Sequence, residues 1–153
     1  MALQHTGTIL TPMSAKSFAI PIRIKPDDID FMGHVNNARY LGWVQDVVLS
    51  HWRKFAPAET IAAHAWVALK HEITYRRPAF LADDIVARTV LERVAGARAF
   101  YDTAIMRSGE VLAEVKSMWC CIDSTTLRPA RIDRDIAERY FGLPRRQEAV
   151  CPA

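Results

Sequence analysis

The 153 residues suffice for one domain, which at this size buries about two-thirds of the surface that its unfolded chain would expose. Half of them are apolar and a quarter charged, the profile of an ordinary globular protein, and no apolar run reaches the length of a membrane span. The net charge of +3 is too small to imply a nucleic-acid partner, but it suits a phosphorylated small ligand or an acidic partner.

Residues 1–17 lack the basic start, apolar centre and small-residue cleavage site of a signal peptide and read as a polar tail. "FAIPIRI", residues 18–24, is a short strand that Pro21 marks as an edge or a strand start. A polar loop, "KPDDIDFMGHVNN", runs into a helix expected over Ala38–Phe55. Its apolar positions Tyr40, Val44, Val47, Val48, Trp52 and Phe55 recur at three- and four-residue steps. Leu41, Trp43 and Leu49 widen that stripe, which predicts a helix wrapped over much of its circumference. Gly42 costs the helix about 1 kcal/mol relative to Ala, and the expected reason is close approach of a neighbouring backbone.

"APAETIAAH" reads as a loop or a short helical turn, after which the period changes to two. Val67, Leu69, His71, Ile73 and Tyr75 are expected on one face of a strand, with Ala68, Lys70, Glu72, Thr74 and Arg76 on the other, and Pro78 ends the run. "DDIVARTVLERV" and "ARAFYDTAIMR" are two further strands, and a tight turn at Ser108-Gly109-Glu110 leads into a last one, "VLAEVKSMWCCIDSTT". "RIDRDIAERYFG" closes with a short helix, and residues 146–153 form a C-terminal tail. This order predicts a single α+β domain over residues 18–145: a long helix on a curled antiparallel sheet of about five strands, four of them a meander.

Absences narrow the chemistry. No G-x-G-x-x-G, P-loop or G-x-S-x-G occurs. The histidines show no metal spacing; His64 and His71 differ by an odd number, so a regular strand would turn them to opposite faces. Neither a metal nor a cofactor is expected. Of the three cysteines, Cys120 and Cys121 are adjacent on a strand, face opposite ways and are expected reduced, which suits the cytoplasm.

Catalysis is therefore sought in the polar loop, where two readings stand. In one, Asn36 or Asn37 caps the helix, Asp27, Asp28 and Asp30 make turns, and Gly33 supplies a positive φ. In the other, the free N–H groups of the helix start hold an oxyanion while a loop aspartate serves the reacting carbon. That pairing suits hydrolysis of a thioester.

"DIDFMGHVNNARYLGWVQD", followed by "HEITYRRPAFLADDI", resembles the hotdog-fold thioesterases of the 4-hydroxybenzoyl-CoA thioesterase type. It is similar in particular to the acyl-CoA and acyl-ACP branch carrying D-x-x-G-H-V-N-N-x-x-Y. The resemblance spans roughly residues 18–132 and implies a helix wrapped by the curled sheet. It places Asp30 on the family's catalytic carboxylate and Asn37 on the position whose backbone N–H faces the thioester oxygen, where many relatives carry His or Tyr. Where relatives carry a helix glutamate this chain has Gln45 and Asp46, and neither is assigned a catalytic role. His34 is assigned a supporting role beside Asp30; His71 reads as a core or interface residue.

Gly33 and Asn36, with Arg76, Arg77 and Arg98, are assigned to substrate binding. Arg107 and Lys116 are further cations for the phosphates of CoA or a carrier protein's arm. Trp43, Trp66 and Trp119 are core positions that could also floor an acyl pocket. The resemblance implies a homodimer joined edge to edge, or a homotetramer, acting on an acyl-CoA or acyl carrier protein thioester. The alternatives are a non-catalytic acyl-CoA sensor and a hotdog hydratase, whose motif is absent.

Overall fold

A computed structural model describes residues 17–143; all but Ser17 of the tail expected over 1–17, the tail expected over 146–153, and Cys151 lie outside the described residues, and Ser17 opens the first strand. Five strands, β1 (Ser17–Ile22), β2 (His64–Tyr75), β3 (Ile85–Ala95), β4 (Arg98–Arg107) and β5 (Glu110–Asp123), form one antiparallel sheet. Helix α1 (Arg39–Phe55) lies on it, α2 (Ala58–Ala63) leads into β2, and α3 (Arg134–Phe141) packs at one end. This is the curled hotdog sheet with its helix.

The strand order is β1-β3-β4-β5-β2, so only β3, β4 and β5 form a meander, not four strands. β2 pairs with β5, and the chain then crosses to β3 through residues 76–84. That connection is long enough to pass the ends of β5 and β4, whereas the hairpins at Gly96 and Ser108-Gly109 are tight and hold their strands adjacent. β1 and β2 are left as edges. β1 is short and carries Pro21, while β2 is long and unprotected.

α1 buries Tyr40, Trp43, Val44, Val47, Val48, His51 and Trp52, a single stripe at three- and four-residue steps. The expected wrapping is not seen within the protomer, for Leu41 is 39% exposed and Leu49 is half-buried. Nor does a strand of the same protomer approach Gly42, since a Cβ built there meets nothing within 4 Å, which leaves the expected approach to a second subunit. Facing the stripe are the inward side chains of the sheet: Ile85, Leu91, Tyr101, Ile105, Leu112, Val115 and Trp119. Cys121 points inward with its thiol pushed up to about 11 by burial, and Cys120 points outward; both are free.

One irregularity resets a face of β2. Ala68 pairs with Trp119 and Lys70 with Met118, so Leu69 is an extra residue in a bulge. Strict alternation predicts Val67 and Leu69 beside His71. Instead they are 44% and 48% exposed, while Trp66, His71 and Ile73 turn toward the core. The same bulge places His64 and His71 on one face, against the parity expected of a regular strand. His64 is engaged locally, its Nδ1 2.9 Å from the Thr60 carbonyl oxygen.

Candidate active site

The loop before α1 is tied into a compact turn by its own backbone. Pro26–Asp28 makes one turn of 3-10 helix, and Ile29 bridges to Val35. Inside that bridge, Asp30 N–H donates to the His34 carbonyl (3.0 Å) and Gly33 N–H to the Asp30 carbonyl (3.0 Å). Gly33 holds φ +83°, where a Cβ would be strained whatever the space. Met32 N–H donates to Asp30 Oδ1 (2.9 Å), which fixes the carboxylate's orientation, and no protein donor among the described residues reaches Oδ2. The Asp30 side chain is 15% exposed. A carboxylate held by one oxygen with the other unbonded is arranged to accept a proton.

His34 lies beside it, Nδ1 3.9 Å from Asp30 Oδ1 and 3.4 Å from the Val35 carbonyl, in keeping with a supporting position. Asn36 Oδ1 accepts from Ala38 N–H (2.9 Å), and its carbonyl accepts from Arg39 N–H (2.9 Å). Neither Asn36 nor Asn37 is the expected N-cap: the cap is Ala38, which makes no side-chain bond to the helix, and Asn36 instead forms an Asx turn just ahead of α1. The Asn37 N–H, directly before these two bonded donors, has no acceptor among the described residues. It is the free donor that an oxyanion site requires.

Three residues outside the motif hold this helix start. The Tyr75 hydroxyl, from the end of β2, donates to the Asn37 carbonyl at 2.7 Å. Ala79, fully buried, accepts from Val35 N–H (2.8 Å). Asp28, nearly buried, receives Lys25 N–H (2.8 Å), and its carbonyl receives Asn36 N–H (2.8 Å). The Arg39 guanidinium stands 3.5 Å from the Asp28 carboxylate. Tyr75 was legible only as an apolar strand position and Ala79 carried no signal, because both act through contacts distant in sequence. Tyr75→Phe removes only the strut to Asn37. We expect a several-fold lower kcat with an unfolding midpoint close to wild type, since one exposed hydrogen bond contributes about 1 kcal/mol.

Among the predicted substrate-binding cations, Arg76 donates twice to Glu114 Oε2 (2.9 and 2.6 Å), and Arg77 pairs with Glu110 (2.5 Å). Arg107 bridges Asp83 (2.7 Å) and Glu110 (3.1 Å), and Lys116 pairs with Asp102 (3.2 Å). Burial pushes the Asp83 carboxyl up, but Phe80 N–H and Arg107 outweigh it and hold it below its ordinary range. Arg76, Arg77 and Arg107 therefore stand at the same end of the sheet as Asp30, though in ion pairs. Such exposed pairs are worth little and exchange readily for a phosphate. Arg98 sits at the opposite end, beside the Gly96 hairpin, and is not brought to the loop. A cleft of about 700 Å³ between β3 and α3 is also at that far end and holds none of the candidate residues. Among the described residues no cluster of three metal-ligating side chains occurs, and no helix is long and apolar enough to cross a membrane.

The chain is similar to proteins of known kind. It is 27% identical over 122 residues to the long-chain acyl-CoA thioesterase FadM of Escherichia coli, covering 77% of this chain and 92% of that one. It is 24% identical over 135 residues to the acyl-CoA thioesterase YbgC of Haemophilus influenzae, covering 86% and 99%. The crystal structure of YbaW, a probable thioesterase of Escherichia coli, superposes with a TM-score of 0.69 at 25% identity, covering 82% of this chain and 98% of that one. The family model of the thioesterase-like superfamily matches residues 24–140, from the foot of the Asp30 loop to α3, and the chain belongs to that superfamily.

Proposed function

We propose that this protein hydrolyses acyl-CoA thioesters, with Asp30 as general base or nucleophile and the Asn37 N–H as oxyanion donor. The observation that carries this is the pairing in one short loop of an oriented carboxylate with an unbonded oxygen and a helix start with an unpaired N–H. The thioester oxygen takes up the negative charge as oxygen adds to the acyl carbon; the C–S bond then breaks, and the thiol leaves with a proton. Used as a base, Asp30 takes its proton from water. Used as a nucleophile, it forms a mixed anhydride that water opens. Met32 N–H sets the Asp30 orientation, and His34 has a supporting place beside the carboxylate. Gly33 and Asn36 shape the cradle, and Arg76 and Arg77 meet the phosphates of CoA or of a carrier protein's arm. The acyl-CoA thioesterases among the relatives favour CoA as the thiol carrier.

The test is thiol release from a panel of acyl- and aroyl-CoAs. Turnover supports the reading; tight binding of acyl-CoA with no thiol released would replace it with that of a sensor protein.

The active unit is inferred to be a homodimer joined along β2, and the free thiols of Cys120 and Cys121 suit the cytoplasm. Twelve residues of unpaired edge with Val67 and Leu69 exposed suit pairing with a second copy. Leu69→Asp is expected to shift the protein toward monomer in light scattering, with activity falling in parallel. A monomeric wild type would sink the dimer.

A further inference from the structure

Two nitrogen atoms on the inward face of β2 are buried without partners: Trp66 Nε1 and His71 Nδ1. Both side chains are half-buried, and both meet an aromatic ring edge-on. Trp66 lies 5.3 Å from Trp52 at 82°, and His71 lies 5.6 Å from Trp119 at 79°. The Leu69 bulge brings the two to one face. Buried polar atoms are normally paired, so each of these calls for an account.

His71 has one that points to a ligand. Burial lowers the pKa of its ring, which is neutral near pH 7 and carries one N–H. Proton placement on Nδ1 would bury an unpaired donor; on Nε2 it leaves only an unused lone pair inside, the cheaper arrangement. Nε2 has no partner among the described residues, yet it is absent from the buried atoms. The N–H therefore reaches the surface from the inward face of the edge strand β2.

The position of that donor is defined. On the same face, four residues further along β2, Tyr75 is bonded to the Asn37 carbonyl at the proposed oxyanion site. At about 3.3 Å per residue, His71 stands about 13 Å along the strand from Tyr75. An acyl chain anchored by its thioester at Asn37 and laid along β2 passes it.

We propose that His71 is a specificity-determining residue whose Nε2–H donates to an oxygen on the substrate's acyl group, so that thioesters bearing a hydroxyl or oxo group along the chain are preferred. The inference rests on the thioesterase reading above. A site built around a donor discriminates against a ligand that leaves it unpaired, here by about tenfold or more.

The test compares kcat/KM for dodecanoyl-CoA with its hydroxydodecanoyl-CoA isomers, for the full chain and for His71→Leu and His71→Gln. The wild type is expected to favour at least one hydroxylated isomer by about tenfold, chiefly through KM. His71→Leu is expected to lose that preference while still turning over dodecanoyl-CoA, and His71→Gln, which retains an N–H donor, to keep part of it. Equal efficiency on all isomers in the wild type, or a preference surviving in His71→Leu, overturns the proposal and leaves the thioesterase reading intact. Failure of the wild type to release thiol from any of these esters overturns that reading itself.

Discussion

Replacing Asp30 with Asn is expected to lower kcat by about 10²–10⁴-fold, with KM within a few-fold of wild type and an unchanged unfolding midpoint. The substitution separates chemistry from architecture. The amide oxygen of Asn can still accept the Met32 N–H that now goes to Asp30 Oδ1, so the loop retains its shape. Only the capacity of the second oxygen to take a proton or attack carbon is lost. By contrast, Asn37→Ala is expected to leave activity within a few-fold of wild type, because its backbone N–H, not its amide, is the proposed donor. Steady-state thiol release on the three proteins checks both statements. Unchanged turnover in Asp30→Asn would remove Asp30 from the chemistry, and a collapse in Asn37→Ala would move the donor to the side chain.

The loop and its helix were legible because their signals are local. The Asp-rich turn, Gly33, the Asn pair and the period of α1 each act within a few residues, and the helix begins within one residue of its expected start. β2 was legible as a strand but not in its phase, since Leu69 is apolar and nothing in an alternating pattern marks the residue that bulges out. The crossing from β2 to β3 was missed for a related reason. Strand neighbours are chosen by long-range pairing, and the extended Arg76–Asp84 connection fits a hairpin loop as well as a crossover. The apolar breadth of α1 was read as wrapping, yet Leu41 stays exposed in the protomer. Charge type was legible and charge partner was not: Arg76 and Glu114 lie 38 residues apart and meet only because β2 pairs with β5.

That same packing creates a second large effect, at His51. The ring is fully buried on α1 among Phe18, Phe55, Tyr101 and Phe141, with Nδ1 3.1 Å from the Tyr101 hydroxyl and Nε2 unpartnered. His51 and the Tyr101 hydroxyl share this one hydrogen bond, whose donor depends on which nitrogen of the neutral ring carries the proton. Burial among these rings lowers the His51 pKa from 6.5 to about 4, because it strips water from the imidazolium and no opposite charge compensates it. The unfolded chain therefore takes up a proton near pH 6.5 that the folded chain refuses until about pH 4. Protons bound preferentially by the unfolded state favour unfolding as they are added, so this contribution to stability is intact above pH 6.5 and is lost as pH falls toward 4. At 1.36 kcal/mol per pH unit, the loss across the window approaches about 3 kcal/mol, a large part of a typical domain's stability. Urea unfolding at intervals from pH 7.5 to pH 4 is expected to show this decline in the wild type. His51→Gln, which can still accept from Tyr101 but takes up no proton, should show a much flatter profile. An equally steep decline in that variant would assign the acid sensitivity to the carboxylates of the surface ion pairs instead.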